Sequence, residues 1–172
     1  MTILVISDKT NPTRGTLRCE GREFTCALGR AGVSVHKHEG DGATPLGTFP
    51  IRRVFYRADR VPKLDTKLPT QIIAPRDGWC DAPTDARYNQ FVTLPYPAGA
   101  EALWREDEAY DVIVVLGHND APVVPFAGSA IFLHVAAADF SPTAGCVALR
   151  KDDLLWVLSR LNPASTITIQ SA

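Results

Sequence analysis

The feature that most constrains the fold is the regular interruption of short apolar segments by proline and glycine. The 172 residues include 13 prolines and 12 glycines, spread along the whole chain. Apolar segments bounded in this way favour strands joined by turns. The length suits one domain with a continuous core. The sequence therefore predicts a β-rich fold in one domain, residues 1–172.

Seven segments have the composition and length of strands. They are Thr2–Ser7, Gly15–Cys19, Glu23–Leu28, Gly47–Tyr56, Val112–Leu116, Ala130–Val135 and Thr166–Gln170. The second and third are predicted to form a hairpin that turns at Glu20 and Gly21. In that register Leu17 faces Phe24 and Arg18 faces Glu23, while Cys26 lies opposite Gly15. Cys19 and Cys26 are therefore not expected to form a disulfide with each other.

One helix is predicted near the C-terminus, at about 151–161. Its apolar residues recur at helical spacing, and Asp152 and Asp153 lie in the first turn, where the helix dipole favours them. Asn162 and Pro163 supply a stop signal.

A weaker helical pattern covers Ala98–Glu108. The region 57–101 lacks a clear period, and a segment of that length is usually functional or contains short elements of its own.

Charge and hydropathy exclude two classes of partner. Eighteen basic and 19 acidic residues give a formal net charge of -1. A chain this neutral has no signature of nucleic-acid binding. No apolar run is long enough for a transmembrane segment. The N-terminus has no basic region before its apolar stretch, so we expect no secretory signal.

A cysteine and a histidine near the C-terminus have the spacing of a nucleophile and its base. His134 ends an apolar strand, and the turn Thr143-Ala144-Gly145-Cys146 follows after a short loop. A thiol reacts as the thiolate, so it needs a neighbouring base or positive charge. Gly145 allows a tight turn, and the amides of Gly145 and Cys146 are candidate donors to an oxyanion. Spacing alone also permits the alternative that both residues are ordinary core residues.

Four segments carry a resemblance to a known family. His134 followed by Thr-Ala-Gly-Cys-Val-Ala-Leu, which ends at Leu149, resembles the active-site signature of the L,D-transpeptidase catalytic domain (YkuD-like) family. The run from Gly42 to Phe49 is similar to an early Thr-Pro-x-Gly-x-Phe segment of that domain. Two further runs, Asp77–Asp81 and Gly117–Asp120, resemble a branch that consists of little more than the catalytic domain.

The resemblance implies a mostly β, sandwich-like fold and a cysteine acyltransferase that acts on peptidoglycan stem peptides. Cys146 would attack a donor tetrapeptide and expel D-alanine, and His134 would accept the thiol proton and later activate the acceptor amine. The amides of Gly145 and Cys146 would stabilise the tetrahedral intermediate. No cofactor and no metal are implied. The family's substrate implies the cell envelope or periplasm, whereas the absence of a visible signal leaves the cytoplasm open.

Four residues are candidates for contacts with substrate. Thr143 and Ala144 lie in the turn before the nucleophile, and His118 and Trp79 lie in the other matching segments. Structural roles for His118 and Trp79 stay open. Many relatives carry His or Lys where this chain has Ala144, and Arg where it has Ala148. These departures leave the charge pattern of the substrate open.

Three other functions remain as alternatives. Water in place of the acceptor amine would make the enzyme an L,D-carboxypeptidase or endopeptidase. A non-catalytic module that binds cell-wall peptides would need no reactive thiol. A metal protein would use the four histidines, His36, His38, His118 and His134.

Overall fold

The computed structural model describes residues 1–172, which form fourteen strands and one helix. The strands are β1 (Thr2–Ser7), β2 (Arg14–Cys19), β3 (Arg22–Ala27), β4 (Val33–Ser34), β5 (Thr44–Pro45), β6 (Gly47–Tyr56), β7 (Thr70–Ile72), β8 (Asp77–Cys80), β9 (Phe91–Thr93), β10 (Ala100–Ala102), β11 (Val112–Leu116), β12 (Phe132–Val135), β13 (Val147–Leu149) and β14 (Thr166–Gln170). The helix α1 covers Lys151–Leu158. The predicted mostly β fold with one helix near the C-terminus is confirmed.

Nine strands form one sheet in the order β11-β12-β13-β3-β2-β1-β14-β6-β7. The ten-residue strand β6 pairs with β14 along its first half and with β11 along its second half. Because β11 is also the first strand in that order, the sheet closes on itself. Alternation within strands sends one set of side chains inward, as with Ile3 and Val5 of β1, both fully buried. The closed sheet therefore encloses the larger of two apolar cores.

The β2–β3 hairpin has the predicted register. Leu17 pairs with Phe24, Arg18 with Glu23 and Gly15 with Cys26. Both turn residues, Glu20 and Gly21, have positive φ angles, as a tight hairpin turn requires. All four cysteines are free and buried, so the prediction that Cys19 and Cys26 are unpaired is confirmed.

The helix is shorter than predicted at its C-terminal end. It ends at Leu158, three residues before the predicted end, and the chain then continues with tighter turns. The amides of Arg160 and Leu161 bond to carbonyls three residues back, at Val157 and Leu158. This geometry leaves the apolar face intact, because Leu161 is still fully buried.

The predicted helix at Ala98–Glu108 is wrong. Residues 100–102 form β10, which pairs with β8, and the amide of Leu103 donates to the carbonyl of Asp77. Together with β9 these strands form a separate three-stranded sheet inside the 57–101 region. Pairing across strands therefore overrides a weak local helical pattern.

The small sheet covers a second apolar cluster on the outside of the main sheet. This cluster of nine buried residues includes Trp79, Leu103, Tyr110, Phe132 and Cys146. The candidate nucleophile is thus part of the contact between the two sheets. No helix in the structure is long and apolar enough to span a membrane.

A buried carboxylate joins three separate parts of the chain. Asp111 precedes β11 and is 1% exposed. It accepts hydrogen bonds from Arg60 at 2.9 Å and from Lys151, at the start of α1, at 2.7 Å. Because both cations are only partly exposed, removal of the carboxylate would leave two poorly solvated charges without a partner.

Asp111→Ala is expected to lower the free energy of unfolding by roughly 2–3 kcal/mol, somewhat less than for a fully buried pair. Urea unfolding followed by circular dichroism measures this change. Glu23→Ala is the matched control, because it breaks the exposed Arg18–Glu23 pair. It should cost under about 1 kcal/mol. Equal costs for the two variants would contradict the role given to Asp111.

Candidate active site

Parallel pairing of β12 with β13 brings His134 and Cys146 to the same face of the sheet. Leu133 pairs with Val147 and His134 with Ala148, so Cys146 stands opposite Phe132. Alternate residues share a face, which puts Cys146 on the face of Phe132 and His134. Strand spacing and rise place the Cα atoms of Cys146 and His134 about 8 Å apart.

Both side chains line a cleft of about 720 Å³, which is within the usual range for a small-molecule or peptide site. Cys146 is 7% exposed and His134 is 9% exposed. Thr143, Ala144 and Ala148 line the same cleft. Two of the four predicted substrate-contact residues, Thr143 and Ala144, therefore lie beside the predicted nucleophile and base.

The thiol of Cys146 is held in a neutral environment. Its Sγ donates a hydrogen bond to the carbonyl of Ala130 at 3.2 Å and accepts one from the amide of Phe132 at 3.4 Å. Burial, and to a lesser extent the charge of Glu101, raises the pKa of the Cys146 thiol to about 12. At neutral pH the resting sulfur is therefore a thiol.

His134 is also neutral at rest. Its Nδ1 lies 2.9 Å from the carbonyl oxygen of Val135. A carbonyl only accepts hydrogen bonds, so Nδ1 carries the proton and Nε2 keeps its lone pair. Burial lowers the pKa of His134 to about 4. The imidazole is thus in the tautomer and charge state of a general base.

Hydrogen bonds within the turn that carries Cys146 fix its shape. The hydroxyl of Thr143 donates to the carbonyl of Cys146 at 2.7 Å and accepts from the amide of Gly145 at 3.1 Å. The Gly145 amide is engaged by this bond, whereas the Cys146 amide has no acceptor within the protein and is free to donate. The oxyanion roles predicted for both amides stay predictions.

Gly145 is required where the turn meets the Thr-Pro segment. Its φ is +140°, and a Cβ there would stand 2.8 Å from the carbonyl oxygen of Ala43. The next residue, Thr44, is fully buried, and its hydroxyl lies 3.5 Å from the carbonyl of Cys146. The segment before β6 thus packs against the turn of Gly145 and Cys146 and supports it.

Trp79 and His118 lie behind the cleft and do not line it. The indole of Trp79 donates to Oδ1 of Asn89 at 3.0 Å, and the same oxygen accepts from the amide of Ala130 at 3.0 Å. Nδ2 of Asn89 donates to the carbonyl of His118 at 3.0 Å. Asn89 therefore fixes the position of Ala130, whose carbonyl accepts the hydrogen bond from the Cys146 thiol. The predicted substrate contacts of Trp79 and His118 stay predictions.

The four histidines do not converge on a metal site. No group of three or more His, Cys, Asp or Glu side chains has a geometry that could hold a metal ion. His36 and His38 are exposed, whereas Nε2 of His118 bonds to the carbonyl of Ala127 at 2.9 Å. The arrangement gives no support to a protein that binds metal through these residues.

Sequence reasoning missed the charged residues of the cleft walls. Glu101 of β10 accepts a hydrogen bond from the hydroxyl of Tyr110 at 2.5 Å, and burial raises the pKa of Glu101. The ring of Tyr110 packs edge-on against His134, with centroids 5.4 Å apart. Arg105 also lines the cleft and forms a bidentate pair with Asp107. The helix wrongly predicted for Ala98–Glu108 includes Glu101, Arg105 and Asp107, so the sequence pattern did not indicate that they line a cleft.

Stability should fall in mild acid because His134 is buried as the neutral base. The unfolded chain protonates this histidine near pH 6.5, but the folded chain does so only near pH 4. Between these values the unfolded state binds more protons, so stability decreases as the pH falls. His134→Gln should remove roughly 3 kcal/mol of the loss between about pH 7 and pH 4.

Urea unfolding at a series of pH values measures this difference. His36→Gln is the control, because His36 is exposed and its variant should keep the wild-type pH dependence. An unchanged pH dependence in His134→Gln would show that the imidazole is not buried as the neutral base.

Several solved structures of other proteins resemble this chain along nearly its whole length. The chain resembles an L,D-transpeptidase from Mycobacterium smegmatis (14% identity, TM-score 0.46, 98% of this chain and 58% of that chain). It also resembles L,D-transpeptidase 3 from Mycobacterium tuberculosis (11% identity, TM-score 0.46, 98% of this chain and 60% of that chain). A third similar structure is a helical cell shape determining protein from Campylobacter jejuni (17% identity, TM-score 0.40, 98% of this chain and 47% of that chain). The chain thus spans less than two thirds of the length of these structures. No curated protein matches the sequence significantly.

The comparison at the level of families covers nearly the whole chain. The model of the L,D-transpeptidase catalytic domain (YkuD) matches residues 4–169, a range that includes the cleft and both strands that carry its cysteine and histidine. The chain belongs to the L,D-transpeptidase catalytic domain family.

Proposed function

We propose that this protein is a cysteine acyltransferase that acts on peptidoglycan stem peptides, with Cys146 as nucleophile and His134 as base. The observation that carries the proposal is the shared face of β12 and β13, which points a thiol and a neutral imidazole into one cleft. Membership of the family supports the substrate class.

The first half of the reaction forms a thioester. Nε2 of His134 accepts the thiol proton as Sγ of Cys146 attacks the carbonyl carbon of the third residue of a donor tetrapeptide. Because both groups are neutral at rest, proton transfer accompanies the attack and does not precede it. The free amide of Cys146 donates to the resulting oxyanion. Collapse expels D-alanine, whose amine takes the proton back from His134.

The second half transfers the acyl group to an amine. The acceptor amine attacks the thioester carbonyl while His134 removes its proton. Collapse forms the new amide and releases the sulfur, which recovers its proton from His134. If water attacks in place of the amine, the same intermediate gives a carboxypeptidase or endopeptidase. Exclusion of water from the cleft favours transfer.

The walls of the cleft suit a substrate with charges of both signs. Its lining includes the acids Glu39, Asp81, Glu101 and Asp107 and the bases Arg30, Lys37 and Arg105. A stem peptide carries both amines and carboxylates, so the mixed lining fits this class better than a purely anionic or purely cationic ligand. Ala148 offers no guanidinium to a substrate carboxylate, and charge recognition therefore falls to residues outside β13.

A carbapenem, the class of β-lactam that the family resemblance implies, tests the nucleophile. Wild-type protein should gain the mass of one carbapenem, and peptide mapping should place it on Cys146. Cys146→Ala should show no adduct, and His134→Gln should be acylated roughly 10²- to 10⁴-fold more slowly. Cys19→Ala, which removes another buried free thiol, is the control and should react as the wild type does.

Product analysis with a tetrapeptide donor separates the two outcomes of the acyl-enzyme. A crosslinked peptide that appears when an acceptor amine is added supports transfer, whereas a tripeptide alone indicates hydrolysis. Wild-type protein that forms no adduct and leaves the peptides unprocessed would overturn the enzymatic proposal and favour a peptide-binding module.

A further inference from the structure

The residues on either side of the nucleophile carry no positive charge. Ala144 precedes the Gly145–Cys146 pair, and Ala148 follows it on the same face of β13. A buried thiol ionises only with difficulty, and a nearby cation is one of the few features that offset burial. Any such cation must therefore come from another part of the chain.

Lys37 supplies a cation from the loop between β4 and β5. Its side chain is 6% exposed, which is rare for lysine, and its Nζ forms an ion pair with Asp41. Nζ also donates to the carbonyl of His38 at 3.0 Å. These two contacts use two of the three ammonium protons and leave one donor. Lys37 lines the same cleft as Cys146.

Two glycines hold the lysine against the nucleophile turn. A Cβ at Gly128 would stand 3.0 Å from Cγ of Lys37, so the lysine stem runs close over that backbone. A Cβ at Gly145 would stand 3.5 Å from Nζ. The ammonium therefore lies beside the residue that immediately precedes Cys146, and packing on both sides fixes its position.

Among the ionisable groups around the sulfur, Lys37 is the cation whose charge acts on Cys146. Glu101 of β10 is acidic, Tyr110 before β11 has its pKa raised by burial, and His134 of β12 is neutral. The remaining charged groups of the cleft are Arg30, Glu39, Asp81 and the paired Arg105 and Asp107. Burial and then the charge of Glu101 raise the pKa of the Cys146 thiol, whereas the amide of Phe132 and the charge of Lys37 lower it.

We propose that Lys37 is a positioning residue for the nucleophile: its ammonium, held by Asp41 and the carbonyl of His38 against Gly145, stabilises negative charge on Sγ of Cys146 as the thiol gives up its proton. The inference rests on the proposed function, because it assigns Cys146 the nucleophilic role. Lys37 acts through the charge of Cys146 and does not itself form a bond to substrate. Asp41 orients the ammonium and offsets the free-energy cost of burying its charge.

The rate of alkylation of Cys146 by iodoacetamide, followed by mass spectrometry between pH 7 and pH 10, reports the thiolate fraction. Lys37→Met keeps the length of the stem and removes the charge. The double variant Lys37→Met with Asp41→Asn also removes the carboxylate that would otherwise lose its partner. Both should react about tenfold more slowly at each pH, which corresponds to a thiol pKa about one unit higher. Lys37→Arg should restore most of the rate, and Lys9→Met, at an exposed lysine, should change nothing.

A folded double variant that is alkylated at the wild-type rate across this range would overturn the role of Lys37. If single Lys37→Met does not fold, the double variant and Lys37→Arg still decide the question, because neither buries a carboxylate without a partner. The proposed function is tested separately on wild-type protein. Stem peptides left unprocessed beside a shifted alkylation profile would reject the enzyme and retain the effect of Lys37 on the thiol.

Discussion

The active-site geometry depends on the parallel pairing of two short strands. β12 and β13 share a register in which His134 stands opposite Ala148, and this register puts Cys146 on the face of the imidazole. A shift by one residue would turn either side chain to the opposite face of the sheet. The neighbours of this pair, β11 on one side and β3 on the other, make such a shift costly. The closed sheet thus stabilises the site because it favours a single register between β12 and β13.

Burial determines how the pair works chemically. With the thiol pKa near 12 and the imidazole pKa near 4, an ion pair of thiolate and imidazolium is unfavourable at rest. In the proposed reaction, charge therefore develops only when a carbonyl carbon accepts the sulfur, and groups that are already oriented stabilise it at that moment. The free amide of Cys146 and the ammonium of Lys37 are such groups. A neutral thiol is also less exposed to oxidation than a resting thiolate.

Much of the fold was predictable because its main strands have strong local signals. The hairpin at Glu20 and Gly21 was predicted in the correct register, since its turn chemistry and its cross-strand pairs agree. β4, β5, β7–β10 and β13 were missed because strands of two to four residues carry too little pattern. The helix over Ala98–Glu108 was wrong because the pairing of β10 with β8 is a long-range contact that no local window contains.

The site was predictable only where the chain keeps its partners close together. Cys146 and His134 stand in one motif, and their placement in one cleft follows from a short loop between adjacent strands. Lys37, Glu101 and Tyr110 lie far from that motif in sequence and reach the cleft through three different loops and strands. Glu101 reaches the cleft because β10 pairs with β8, and Lys37 reaches it because the loop between β4 and β5 runs beside Gly145.

The Thr-Pro segment and the turn of Gly145 and Cys146 are physically linked. The Thr-Pro segment has to bring the carbonyl of Ala43 close to the nucleophile turn, and only glycine at position 145 leaves room for it. The same approach carries Lys37 to the cleft and its partner Asp41 beside it, since both precede Ala43 in one loop. The amide of Ala43 donates to Asp41 at 2.8 Å, so the loop that supports the turn also orients the ion pair. One loop of the chain therefore both supports the turn of Gly145 and Cys146 and positions the charge of Lys37.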